Sequence, residues 1–183
     1  MQKNNIALIG FMATGKTTIG RKLVEVLDND YKLVETDDII IQKAGKSIPE
    51  IFREDGEIRF REYEIAVCKE ISDLRKVIIS CGGGVVLNKI NIDYLRKNAF
   101  IVLLNATPEV IYQRVKKDGE ETRPVLYKND VKHEIEKVLK FREPFYNVAA
   151  DIIIDTTNKS IDKIVQVIMQ KTKINKSVFE IEG

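Results

Sequence analysis

Short apolar runs alternate along the chain with longer stretches whose apolar residues recur at helical spacing. Ile6-Ala7-Leu8-Ile9 reads as a buried strand, and Lys16 to Leu27 as the helix after it. Lys32-Leu33-Val34 gives a second strand. Asp38 to Leu74 reads as helical, with breaks near Gly45, Pro49 and Gly56. Val77-Ile78-Ile79 makes a third strand that ends at Gly82-Gly83-Gly84. Phe100 to Leu104 makes a fourth, and a helix follows from about Pro108, where proline suits the first helical turn. Asp118 to Asp130 is polar and reads as a loop. Val131 to Tyr146 is a helix, Ile152-Ile153-Ile154 a fifth strand, and Ile161 to Lys171 a last helix.

Apolar strands without alternation, separated by helices, predict a parallel sheet covered on both faces. Ligands of such sheets bind beyond the carboxyl ends of the strands. Chemistry is therefore expected just after Ile9, Val34, Ile79, Leu104 and Ile154. A chain of 183 residues suits one domain. Residues 1–173 are read as that domain, and 174–183, which carry no pattern, as a flexible tail.

Composition acts mainly by exclusion. The 30 basic residues nearly balance the 28 acidic ones, which argues against a nucleic-acid or membrane-surface partner. No apolar run approaches the ~18 residues of a membrane span. The stretch Ile6 to Met12 lacks a signal peptide's basic flank and cleavage site. Cys68 and Cys81 suit a reducing compartment, so the cytoplasm is expected, with both thiols buried and inert. Without a Cys/His cluster no structural zinc site is suggested, and His133 reads as a surface residue.

The clearest chemistry follows the first strand. Gly10-Phe11-Met12-Ala13-Thr14-Gly15-Lys16-Thr17 fits the phosphate-loop pattern G-x-x-x-x-G-K-[ST]. Its glycines let backbone N–H groups face a polyphosphate, and the following helix adds its positive end. Lys16 is placed to reach the β- and γ-phosphates and the Thr17 hydroxyl to ligate Mg²⁺. No Asp is followed three places later by Gly, and Asn158-Lys159-Ser160-Ile161-Asp162 is one residue too long for a guanine-reading element. A small-molecule kinase is thus favoured over a GTPase.

Such a kinase needs a carboxylate near the acceptor hydroxyl, a metal, and cations for the phosphoryl group. Glu35, Asp37 and Asp38 stand at the end of the second strand, although helix capping accounts for their position equally well. Gly82-Gly83-Gly84 permits close approach to a ligand, or merely a tight turn. Arg61 and Arg142 lie on helices, where an arginine is usually only solvated. Arg123 precedes Pro124 in the polar loop, a lid position.

Taken together, these blocks resemble shikimate kinases. The resemblance is carried by the phosphate loop with Thr18-Ile19-Gly20, by Glu35-Thr36-Asp37, and by Gly45-Lys46-Ser47-Ile48-Pro49-Glu50-Ile51-Phe52. It continues through Gly56-Glu57-x-x-Phe60-Arg61-x-x-Glu64, Gly82-Gly83-Gly84, Arg123-Pro124-Val125-Leu126 and Arg142-x-x-x-Tyr146. It implies a three-layer α/β/α domain of the P-loop type, with a five-stranded parallel sheet in the order 2-3-1-4-5. Substrate-binding helices would span about 38–74 and a lid about 116–130. The implied reaction is ATP-dependent phosphorylation of the 3-hydroxyl of shikimate with Mg²⁺, by a monomer.

Carried over residue by residue, Ala13, Thr14, Gly15, Lys16, Thr17 and Thr18 would hold ATP, together with Arg123 and Asn158. Asp37, Arg61, Gly82, Gly83, Gly84 and Arg142 would hold shikimate, the two arginines clamping its carboxylate. Lys16, Asp37 and Arg123 would be catalytic. Thr17 would bind the metal, with Glu35 supporting it through water.

Four positions depart from the family pattern. Glu35 replaces an aspartate, Ala13 a glycine, Lys116 a lid arginine, and Asn158, with Lys159 beside it, an arginine that flanks adenine. A paralogous kinase of another hydroxy acid such as gluconate, or a silent nucleotide-binding module, are the alternatives.

Overall fold

The computed structural model describes residues 3–27, 30–118 and 130–174. Its strands are β1 (Asn5–Ile9), β2 (Lys32–Glu35), β3 (Val77–Ser80), β4 (Ala99–Asn105) and β5 (Ile152–Asp155). All neighbours pair in parallel, in the order β2-β3-β1-β4-β5 expected from the sequence. The central strand β1 sets the register, with Ile6 opposite Ile78 on one side and Phe100 on the other.

Every residue of β1 is buried, which explains its unbroken apolar run. Ala7 and Ile9 face one core with Ile79, Ile101 and Leu103. Ile6 and Leu8 face the other with Ile78, Val102 and Leu104. The first core lies under α4 (Gly56–Ile71), α5 (Lys89–Arg96) and α7 (Val131–Ala149), and the second under α1 (Lys16–Val26) and α8 (Ile161–Thr172).

The helical stretch after β2 breaks where expected. Helix α2 (Thr36–Ala44) ends on Gly45, whose φ of 64° is left-handed. Short α3 (Ile48–Glu50) starts at a Ser47–Glu50 capping box with Pro49 in its first turn, and a π-turn over Ile51–Asp55 leads to Gly56. Helix α6 (Pro108–Asp118) follows β4.

Three features differ from the sequence reading. Helix α5 has no counterpart there, because Asn91 takes a core position and donates its Nδ2 to the Val85 carbonyl, which interrupts the apolar period. Helix α7 runs three residues past Tyr146, through Pro144. Ile174 is 7% exposed and packs on the α8 core, so the first residue assigned to the tail belongs to the domain. Residues 175–183 lie outside the described residues. No described helix is long and apolar enough to cross a membrane.

Candidate active site

The site begins where β1 turns into α1. Gly10 (φ 139°) and Gly15 (φ 95°) adopt conformations that favour glycine, and a Cβ on Gly10 would run into the Leu104 carbonyl. Ala13 sits between them at φ 58°, a left-handed position held by an L-residue with a side chain. Thr14 is buried and donates its hydroxyl to the Phe11 carbonyl at 2.8 Å, which tightens the loop. Helix α1 has no acidic residue of its own in its first turn and no side-chain cap, so its first N–H groups face the loop. Lys16 Nζ lies 2.9 Å from the Gly10 carbonyl and 2.8 Å from that of Phe11, donating to both.

Thr17, one residue on, donates its hydroxyl to Glu35 Oε2 at 2.7 Å, and Ser80 Oγ stands 3.3 Å from the same hydroxyl. Arg21 Nη2 is 3.8 Å from the other Glu35 oxygen. These groups meet above the carboxyl ends of β2 and β3. Their oxygens are hard donors of the kind Mg²⁺ prefers.

Asp37 occupies the first turn of α2. Burial pushes its carboxyl above the usual range, and the Lys16 charge only partly opposes this. Its Oδ1 is buried without a hydrogen-bond partner among the described residues. The neighbouring Thr36 accepts the Gly82 N–H at 2.9 Å, which fastens α2 to the triglycine turn.

That turn gathers the remaining residues. A Cβ on Gly82 would lie 2.6 Å from Asp37 Oδ1, and one on Gly84 would lie 2.8 Å from Arg61 Nη2. Gly83 offers its carbonyl to Arg142 Nη1 at 3.1 Å and to the Tyr146 hydroxyl at 2.6 Å. Arg61 donates to the buried Glu64 at 2.5 Å and to Glu57 at 2.9 Å. Burial alone would lower the Arg61 pKa, but Glu64 and Glu57 outweigh it and raise it. Burial likewise pushes the Glu64 carboxyl up against the pull of Arg61. Arg142 is 9% exposed, with its guanidinium 5.8 Å from the Phe11 ring and its Nε without a partner among the described residues. Asp37, Arg61 and Arg142, far apart in sequence, thus surround one turn beside the phosphate loop.

A cavity of about 460 Å³ opens on the other side of the loop, lined by Ala13, Thr14, Gly15 and Thr18 and by Arg114, Lys117, Thr156 and Lys159. Asn158 is exposed in the turn after β5, and its neighbour Lys159 forms the wall instead. Lys116 is exposed on α6, and Lys117 lines the cavity. Arg123 and the lid over about 116–130 fall outside the described residues, apart from 116–118 and 130. A second opening of similar size lies beyond β4 and β5; Leu103, Asn105, Tyr146 and Asp155 line it, and none of the site residues expected from the sequence does.

Sequence reasoning assigned no role to Glu64, Tyr146, Ser80 or Arg114. The spacings Arg61-x-x-Glu64 and Arg142-x-x-x-Tyr146 put each pair on one helix face, which was the available signal. Arg114 gave none, because it donates to the carbonyls of Ala13 and Thr156, both at 3.1 Å and both distant in sequence. Cys68 and Cys81 are buried and free. Burial pushes the Cys68 thiol up to about 12 and the Cys81 thiol well above its usual value, so both stay protonated.

Comparison with known proteins agrees with this geometry. The family model described as Shikimate kinase matches residues 12–173. The chain is 42% identical over 166 residues to a shikimate kinase of Caldanaerobacter subterraneus subsp. tengcongensis, covering 91% of this chain and 94% of that protein. It is 44% identical over 170 residues to one from Caldicellulosiruptor saccharolyticus, covering 91% and 96%. Among solved structures, the shikimate kinase from Acinetobacter baumannii in complex with shikimate superposes with a TM-score of 0.85 at 32% identity, covering 92% of each chain.

Proposed function

The chain belongs to the shikimate kinase family, and on that premise we propose that it transfers the γ-phosphoryl group of ATP to the 3-hydroxyl of shikimate. The observation that carries the reading is the gathering of Asp37, Arg61 and Arg142 around Gly82-Gly83-Gly84, next to the phosphate loop.

The acceptor carries a carboxylate and ring hydroxyls, and each finds a matching group. Arg61 and Arg142 take the carboxylate, a task suited to planar guanidinium donors. Asp37 accepts hydrogen bonds from the hydroxyls, and its buried carboxylate orients the attacking one and takes its proton. Gly82, Gly83 and Gly84 let the acceptor approach the backbone closely.

On the donor side, Ala13, Thr14, Gly15 and Thr18 bind ATP through the loop and the cavity beside it, with Lys159 serving beside Asn158 at the base. Lys16 supplies charge to the β- and γ-phosphates, and Arg123 neutralises the transferring group. The oxygens of Thr17 and Glu35 fit Mg²⁺, with the Thr17 hydroxyl as direct ligand and Glu35 orienting it or a bound water. When bound there, Mg²⁺ would supply positive charge that offsets the charge of the phosphates. One chain supplies every described residue of this site and both cysteines are free and buried, which supports a monomer working in the cytoplasm.

A coupled ADP-release assay with MgATP, run with and without shikimate, tests the reading. Shikimate-dependent release with a KM in or below the millimolar range is expected. Folded, ATP-binding protein that shikimate does not stimulate would overturn it. A panel of hydroxy acids including gluconate would then separate a paralogous kinase from a silent nucleotide-binding module.

A further inference from the structure

We infer that Tyr146 is a positioning residue for acceptor binding, acting through the Gly83 carbonyl; the inference rests on the function proposed above. Tyr146 follows Arg142 by one turn of α7, so the two side chains leave the same face of the helix. Both donate to one oxygen: the Tyr146 hydroxyl at 2.6 Å and Arg142 Nη1 at 3.1 Å. A carbonyl has two lone pairs, and these two donors fill them.

Two consequences follow for the acceptor site. A trans peptide is planar, so fixing the Gly83 carbonyl also fixes the Gly84 N–H on the opposite side. That peptide is the stretch of turn against which Arg61 packs at Gly84. Tyr146 therefore sets the turn relative to both arginines. The second consequence concerns Arg142 itself. With Tyr146 making the shorter bond to Gly83, Arg142 contributes a single N–H there, and its Nε makes no hydrogen bond among the described residues. The guanidinium is thereby held in one pose beside the triglycine turn, where its remaining N–H groups can serve the acceptor carboxylate. Without the phenol, the open lone pair on Gly83 draws Arg142 away from that pose.

The hydroxyl is suited to a fixed structural bond rather than to proton transfer. Tyr146 is 4% exposed, and burial pushes its phenol up to about 12 despite the nearby Arg142 charge. It remains a neutral donor across the working pH range.

Tyr146→Phe keeps the ring and removes only the donor. Arg142 still satisfies the Gly83 oxygen, so no buried acceptor is orphaned and the variant folds. Shikimate Kd by calorimetry and shikimate KM should both rise about tenfold, with kcat and the KM for ATP within about twofold of wild type. Combined with Arg142→Lys, the loss should be less than the product of the single effects, because both changes act on one oxygen. A folded Tyr146→Phe protein that binds shikimate like wild type overturns the inference. So does a parallel fall in ATP and shikimate affinity with a lowered Tm, which marks a merely structural role. Wild-type protein that fails to bind shikimate overturns the functional reading, and this inference with it.

Discussion

Thr17 donates its hydroxyl to Glu35 Oε2 over 2.7 Å, a bond that ties the start of α1 to the last residue of β2. The extra methylene of Glu35, relative to the family's aspartate, does not carry the carboxylate away from the Thr17 hydroxyl, the proposed metal ligand. Groups that orient a metal ligand typically contribute 10–100-fold to metal affinity. Glu35→Ala should therefore raise the Mg²⁺ concentration for half-maximal turnover by about that factor, with Glu35→Asp in between. A Mg²⁺ titration of turnover that superposes on wild type would remove Glu35 from the metal's surroundings.

Asp37, the proposed catalytic carboxylate, also bears on stability. Its carboxyl is raised in the folded protein, chiefly by burial, so the folded state binds this proton more tightly than the unfolded chain does. The stability this gives is fully present below the unfolded pKa near about 3.9 and is lost as pH rises through the higher folded value. Asp37→Asn removes the buried charge. It should melt above wild type at pH 7, with the gap closing as pH falls toward about 4, while turnover drops about 10²–10⁴-fold. Melting curves across this pH range decide the matter: a variant no more stable than wild type at pH 7 would show that burial does not dominate at Asp37.

Arg61 fills the space in which a side chain on Gly84 would stand. Its guanidinium is held by Glu64 and Glu57, so it can yield only by loosening its bond to the buried Glu64. Gly84→Ala is expected to raise the shikimate KM at least tenfold and to destabilise the fold by about 1–3 kcal/mol, as overpacking does. The KM for ATP should stay put. Unchanged acceptor kinetics would mean that Arg61 relocates without consequence and is not part of the clamp.

Ala13 holds a left-handed backbone at φ 58°. That conformation costs an L-residue roughly 1–2 kcal/mol, against about 0.4–1 kcal/mol of extra unfolded-state entropy that a glycine brings. The difference favours glycine by about 0.5–1 kcal/mol. Ala13→Gly should raise Tm by about 1–4 °C in a domain of this size. A fall in Tm measured by calorimetry would show that the loop relaxes around the alanine.

The sequence made much of this visible because apolar runs and the phosphate loop are local signals. All five strands lie where unbroken apolar runs predict, and Lys16, Thr17 and Asp37 stand at strand ends. What escaped was set by contacts between distant parts of the chain. Asn91 hides α5 because its amide is satisfied by Val85 in the fold, while in the sequence it only breaks a pattern. Arg114 looks like any solvated arginine until Ala13 and Thr156 come together beneath it. The sequence pattern ends α7 at Tyr146, yet the helix carries on to Ala149, which is buried in the core.

The sheet ends on both sides in strands of only four residues. The outer strand β2 begins with Lys32 and closes with Glu35, and β5 closes with Asp155. Edges this short and charged offer little template for an incoming strand. Native molecules therefore resist growing into fibrils at high concentration, and turbidity on heating should track the unfolded fraction rather than the folded one.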